Sequence, residues 1–90
     1  MMNIQDIQAT LARMAELLRI GGINDWAKAL ETLRNELAVD PVRTSAKILA
    51  MYGGMGSLND LILYKSGQPL SRENNELDAL RSKLYALCHS

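Results

Sequence analysis

Apolar side chains return at intervals of three and four along most of this chain. The returns are interrupted at Gly21-Gly22, Asp40-Pro41, Gly53-Gly54 and Gln68-Pro69. A 3.6-residue period buries one stripe of a helix, whereas a strand needs a period of two. The spacing therefore predicts a chain of amphipathic helices joined by short turns. Residue usage agrees, since leucine and alanine supply 25 of the 90 residues and phenylalanine is absent. Strand-style alternation is not sustained anywhere.

The first stripe is Ile4, Ile7, Leu11, Met14 and Leu18, which predicts a helix over 4–20 ended by Gly21-Gly22. Trp26, Leu30, Leu33 and Leu37 predict a second over 25–38, opened by Asn24-Asp25. Asp40-Pro41 joins an acidic cap to a proline at the first helical position, where no amide hydrogen is needed. It starts a third helix with Val42, Ala46, Leu49 and Ala50 as its buried stripe, widened by Ile48 and Met51. Tyr52-Gly53-Gly54 stops it.

Ser57 with Asp60 three residues later resembles a capping box, and the apolar run Leu58 to Tyr64 follows. Such a run also suits a buried strand, and periodicity does not separate the two. The cap favours a short fourth helix ending near Gly67, with Gln68-Pro69-Leu70 as a linker. Ser71 opens the last helix over 72–88, with Leu77, Leu80, Leu84 and Leu87 on one face. The expected fold is all-α, a compact bundle of about five helices in one domain spanning 1–90.

Ten basic residues stand against ten acidic ones, a balance unlike that of a general nucleic-acid binder. One cysteine, Cys88, and one histidine, His89, are too few for a structural zinc site or a disulfide. No metal and no cofactor are expected. The longest apolar run falls far short of the ~20 residues that cross a bilayer. The beginning of the chain lacks the basic and apolar regions of a signal peptide, so no membrane role and a cytoplasmic location are expected.

Catalysis is not indicated. The glycines at 53, 54 and 56 follow a helix and lack the spacings of phosphate loops. Glu31 with Glu36 and Glu73 with Glu76 read as solvated helix faces, and Cys88-His89 stand side by side near a chain end. A helix-turn-helix reading would use Arg43, Lys47 and Lys65. Its recognition helix would offer Leu58, Asn59, Asp60, Leu61, Ile62 and Leu63 to DNA, a mostly aliphatic set with an acid that the phosphates would repel, which is poor chemistry for base edges. Trp26 reads as core or edge packing, with an interface hot spot as the alternative, and Met55 either plugs the core or projects as an adaptable contact.

The string Tyr52-Gly53-Gly54-Met55-Gly56-Ser57-Leu58-Asn59-Asp60-Leu61 is similar to the signature of a family of small all-helical bacterial proteins. Members of that kind occur as immunity proteins, or beside polymorphic and contact-dependent toxins. The resemblance implies a non-enzymatic binding protein that neutralises a cognate toxin domain by occluding its active site or partner surface.

Candidate docking residues are the acids Asp25, Glu31, Glu36 and Asp40, the acids Glu73, Glu76 and Asp78, and the turn residues Tyr52, Met55 and Asn59. An acidic face qualifies only if lysine or arginine does not balance it. The alternatives are an adaptor or homodimeric module using surface residues such as Met51 and Ile62, and a small DNA-binding regulator.

Overall fold

A computed structural model describes residues 2–53 and 56–89. Among these it contains four α-helices, α1 (Ile4–Ile20), α2 (Asn24–Glu36), α3 (Pro41–Ala50) and α4 (Ser71–His89). One turn of 3₁₀ helix (Leu58–Asp60) and a two-stranded hairpin, β1 (Tyr64–Lys65) with β2 (Gln68–Pro69), lie between α3 and α4. No helix among the described residues is long and apolar enough to cross a membrane.

The helices begin where local chemistry satisfies their first amides. The Asn3 side chain accepts from the Asp6 amide at 3.0 Å, and the Asp40 side chain accepts from the Arg43 amide at 3.2 Å. Gly22 ends α1 at φ +76°. For α2 the cap position is Ile23, which offers no side-chain acceptor, so the Asn24-Asp25 signal starts the helix without capping it.

α1 is the central element. Ile7, Leu11, Met14, Leu17 and Leu18 are completely buried, and the helix packs against both α2 and α4. Leu30 and Leu37 of α2, Ile48 of α3, and Leu77 and Leu84 of α4 close the core around it. Burying one such side chain fully contributes about 1.5–3 kcal/mol. Trp26 packs half-buried against this cluster.

Two stripes differ from expectation. In α3 the buried residues are Thr44, Ser45 and Ile48, while Val42 is 74% exposed and Ala46 and Ala50 face solvent. Alanine, serine and threonine are close in size, so neighbouring elements decide which face is covered. The Ser45 hydroxyl donates to the Val42 carbonyl at 3.0 Å, which satisfies it inside the core. In α4, Leu77 and Leu84 are buried as expected, but Arg81 and Cys88 complete that stripe, with Leu80 and Leu87 at its margin.

The expected fourth helix is absent, so the bundle has four helices rather than five. Leu61 is already extended at φ −73°, ψ 127°. From there the run alternates: Leu61 partly buried, Ile62 exposed, Leu63 buried, Tyr64 exposed. Ser66 and Gly67 both take positive φ, +53° and +76°, which matches the twist of a two-residue hairpin loop. Ser57 makes no capping bond; its hydroxyl is buried and has no partner among the described residues. Asp60 instead accepts from the Gly56 amide at 2.8 Å.

Long-range side-chain contacts hold this extended segment. Asn74 clamps Leu63 from α4, accepting from its amide at 2.7 Å and donating to its carbonyl at 3.0 Å. That pair imitates the bonds a neighbouring strand would make. On the other side, a Cβ at Gly21 would stand 2.7 Å from Leu63 Cδ2 and 3.3 Å from its Cα. Only glycine lets the end of α1 approach so closely.

Candidate functional site: a groove between the third-helix turn and the last helix

The end of α3 and the turn after it run beside the middle of α4, and an open groove of about 1000 Å³ lies between them. Tyr52 and Asn59 form one wall. Asp78, Ser82 and Tyr85 form the other, at the i, i+4 and i+7 spacing that aligns side chains along one helix face.

Arg81 braces the groove. This guanidinium is buried, and its Nη1 donates to the carbonyls of Leu58 at 3.0 Å, Asn59 at 3.3 Å and Leu61 at 3.0 Å, while Nη2 pairs with Asp78. A buried cation with several oriented acceptors is satisfied where a lone one would be costly. The same contacts supply donors to carbonyls that a 3₁₀ turn leaves open.

Tyr52 completes the brace from the opposite wall. Its hydroxyl donates to the Arg81 carbonyl at 2.8 Å, and its own carbonyl accepts from the Asn59 side chain at 3.1 Å. Burial, reinforced by nearby Cys88, raises the Tyr52 pKa, so the ring stays a neutral phenol and a committed donor. The Tyr52 and Tyr85 rings meet edge-on with centroids 5.1 Å apart, and His89 lies 4.5 Å beyond Tyr85. Tyr85 remains 43% exposed.

Of the expected docking residues, the structure brings Tyr52 and Asn59 to this groove, and Met55 lies outside the described residues. Of the acids, Asp78 lines the groove and is paired with Arg81, and the others go elsewhere. Glu31 pairs with Arg19 at 2.6 Å, and Glu36 with Lys47 at 3.0 Å. Glu76 is held by Arg13 through two bonds, of 2.6 and 2.9 Å. The Arg13 hydrogen bonds hold the Glu76 carboxyl below its usual range. Asp40 is a helix cap, Asp25 is exposed in the first turn of α2, and Glu73 is half-buried in the first turn of α4. Four of the seven acids, Glu31, Glu36, Glu76 and Asp78, thus face a base at close range, and no single face collects them.

Sequence reasoning did not single out Arg81, Ser82 or Tyr85. A usable signal was present: Leu77, Arg81, Leu84 and Cys88 repeat at four, three and four, which puts an arginine inside an apolar stripe. Cys88 and His89 do not form a nucleophile and base. Burial pushes the Cys88 thiol up to about 11, while His89 is exposed against Tyr85. No group of three or more histidine, cysteine, aspartate or glutamate side chains placed to hold a metal occurs among the described residues. The groove offers hydrogen-bonding groups and aromatic surface.

Residues 19–71, more than half of the chain, match the family described as a domain of unknown function, DUF6966. The chain belongs to that family. No curated protein and no solved structure matches it. The DUF6966 span runs from the last turn of α1 to the first residue of α4. It therefore contains the Tyr52–Asn59 wall of the groove, the carbonyls that Arg81 grips and the whole hairpin. Arg81 and Tyr85 lie beyond it.

Proposed function

We propose that this DUF6966 chain is an immunity protein: a non-enzymatic cytoplasmic inhibitor that binds a cognate bacterial toxin domain and covers its active site or partner surface. The observation that supports this reading most is the groove, to which the sequence string resembling immunity proteins contributes Tyr52, Gly53 and Asn59. Tyr52 and Asn59 from that string stand opposite a half-exposed tyrosine and an exposed carboxylate. Tyrosine delivers a large contact area at small conformational cost and is enriched where interface energy concentrates. The Arg81 brace fixes that surface before a partner arrives, which lowers the ordering cost of association.

The groove displaces the acidic faces as the docking surface in this proposal. Glu31, Glu36 and Glu76 are each engaged by arginine or lysine, so recruiting them requires breaking an existing pair. The helix-turn-helix alternative loses its second helix, because Leu58–Lys65 is a 3₁₀ turn leading into a hairpin.

The test is co-expression with the C-terminal domain of the neighbour encoded upstream. Growth arrest by that neighbour, relieved by this chain as a co-purifying complex, is the expected result. An Asn59→Ala/Tyr85→Ala variant should stay folded and bind at least about 30-fold more weakly, the loss of one strong interface anchor. Glu31→Lys/Glu36→Lys should change affinity by less than about threefold. The reverse ranking moves the docking surface to α2, and a neighbour that arrests growth without rescue removes the immunity reading for that pair.

A further inference from the structure

We propose that the outer edge of the extended segment 62–64, which leads into β1, pairs antiparallel with the same edge of a second copy of this chain. Along an antiparallel ladder, successive residues turn their N–H and C=O groups to opposite edges. Leu61, Leu63 and Lys65 turn theirs inward. The Leu61 carbonyl takes Arg81, Leu63 is clamped by Asn74 and accepts from the Leu70 amide at 2.9 Å, and Lys65 is paired with Gln68. The N–H and C=O groups of Ile62 and Tyr64 face the other edge and have no partner among the described residues.

That edge is rigid and apolar. Leu63 is fully buried against Gly21, so the backbone between the two open positions cannot relax toward another partner. The Ile62 and Tyr64 side chains are 53% and 51% exposed, and neither is charged. The opposite edge of the hairpin is blocked, because Pro69 has no N–H to offer. Edge strands with open polar groups and apolar side chains are templates for strand addition.

A second copy fits this edge because the edge is self-complementary. Antiparallel pairing centred on Leu63 sets Ile62 directly opposite Tyr64 of the other copy, twice. All four open N–H groups then meet open carbonyls, and each β-branched side chain lies against an aromatic one, a favourable cross-strand pair. The same register puts Lys65 opposite Leu61, so the two lysines stand four residues apart along the strand, about 13 Å, and do not meet. The formal net charge of zero removes long-range repulsion between copies.

The edge is short, so the dimer is weak and concentration-dependent. Light scattering on the full chain should show a mass rising from 10.0 kDa towards twice that value as concentration climbs. The range to cover is from about 10 µM to about 1 mM. Charge pairs then read the register. Ile62→Lys/Tyr64→Lys sets like charges opposite each other and should abolish the rise. Ile62→Lys/Tyr64→Glu sets opposite charges face to face and should keep it, although both variants lose the same apolar surface. Far-ultraviolet circular dichroism checks that both keep the wild-type helix content.

A wild-type mass fixed at one copy through the whole range overturns the proposal. So does a double-lysine variant that still dimerises, or a lysine–glutamate variant that does not. None of these outcomes bears on toxin binding, which is proposed for the groove and not for this edge.

Discussion

The α1–α2 pair and the segment from Met51 to Leu70 are built by different physics. Between α1 and α2, leucines, methionine and isoleucine pack at helical spacing. Side-chain hydrogen bonds there are few and peripheral, such as Gln8 to the Arg34 carbonyl at 3.0 Å. Among the described residues of the 51–70 segment only Leu58 and Leu63 are fully buried hydrophobics, and the backbone is held by polar side chains from far along the chain. Arg81 reaches back 20 to 23 residues and Asn74 reaches back 11. The first region is stabilised by area, which is forgiving in detail. The second is stabilised by a few directed bonds, so single atoms matter.

That contrast ranks the expected effects of substitution. Leu30→Ala removes a fully buried side chain at the α1–α2 interface and should cost about 2–5 kcal/mol in chemical denaturation, lowering all probes together. Arg81→Ala should cost about 3 kcal/mol, since three carbonyls lose a charged donor at once. Its signature is local: hydrogen exchange should accelerate over 56–70 before it changes in α1 and α2. Uniform acceleration would mean that the two regions are one cooperative unit and the distinction fails.

Asn74→Ala opens both bonds to Leu63 and should cost about 1–2 kcal/mol, with protection lost first at the Leu63 amide. Glu76→Gln is the smallest change and depends on pH. The folded-state carboxyl is held below its ordinary value of 4.5, so its contribution is complete above that pH and fades as pH falls through the lowered value. The melting-temperature gap between wild type and variant should therefore narrow on acidification. A gap that widens would assign the effect to another group.

Legibility in the sequence follows the same division. Helical periodicity located α1 to the residue and α4 within one residue at each end, because a 3.6-residue repeat reports burial directly. The 51–70 segment was misread because its decisive partners lie outside it. Nothing within Leu58 to Gly67 shows that Asn74 will supply strand-like bonds to Leu63, or that an arginine will accept the role of a cap. Ser57 and Asp60 carried a capping pattern, yet Asp60 went to the Gly56 amide and Ser57 to neither. For the groove, Tyr52 and Asn59 were found through the string that contains them. Tyr85 was missed because its apolar neighbours dominate the helix pattern.

The aromatic residues divide along the same line, with a practical consequence. The single tryptophan, Trp26, sits on α2, whereas Tyr52, Tyr64 and Tyr85 all lie in the 51–70 segment or on the α4 face that meets it. The chain therefore carries its own two-colour optics. Emission excited at the indole reports the helical pair, and the phenol bands of the near-ultraviolet spectrum report the turn, groove and hairpin. The order in which the two regions come apart can thus be read on the unlabelled protein.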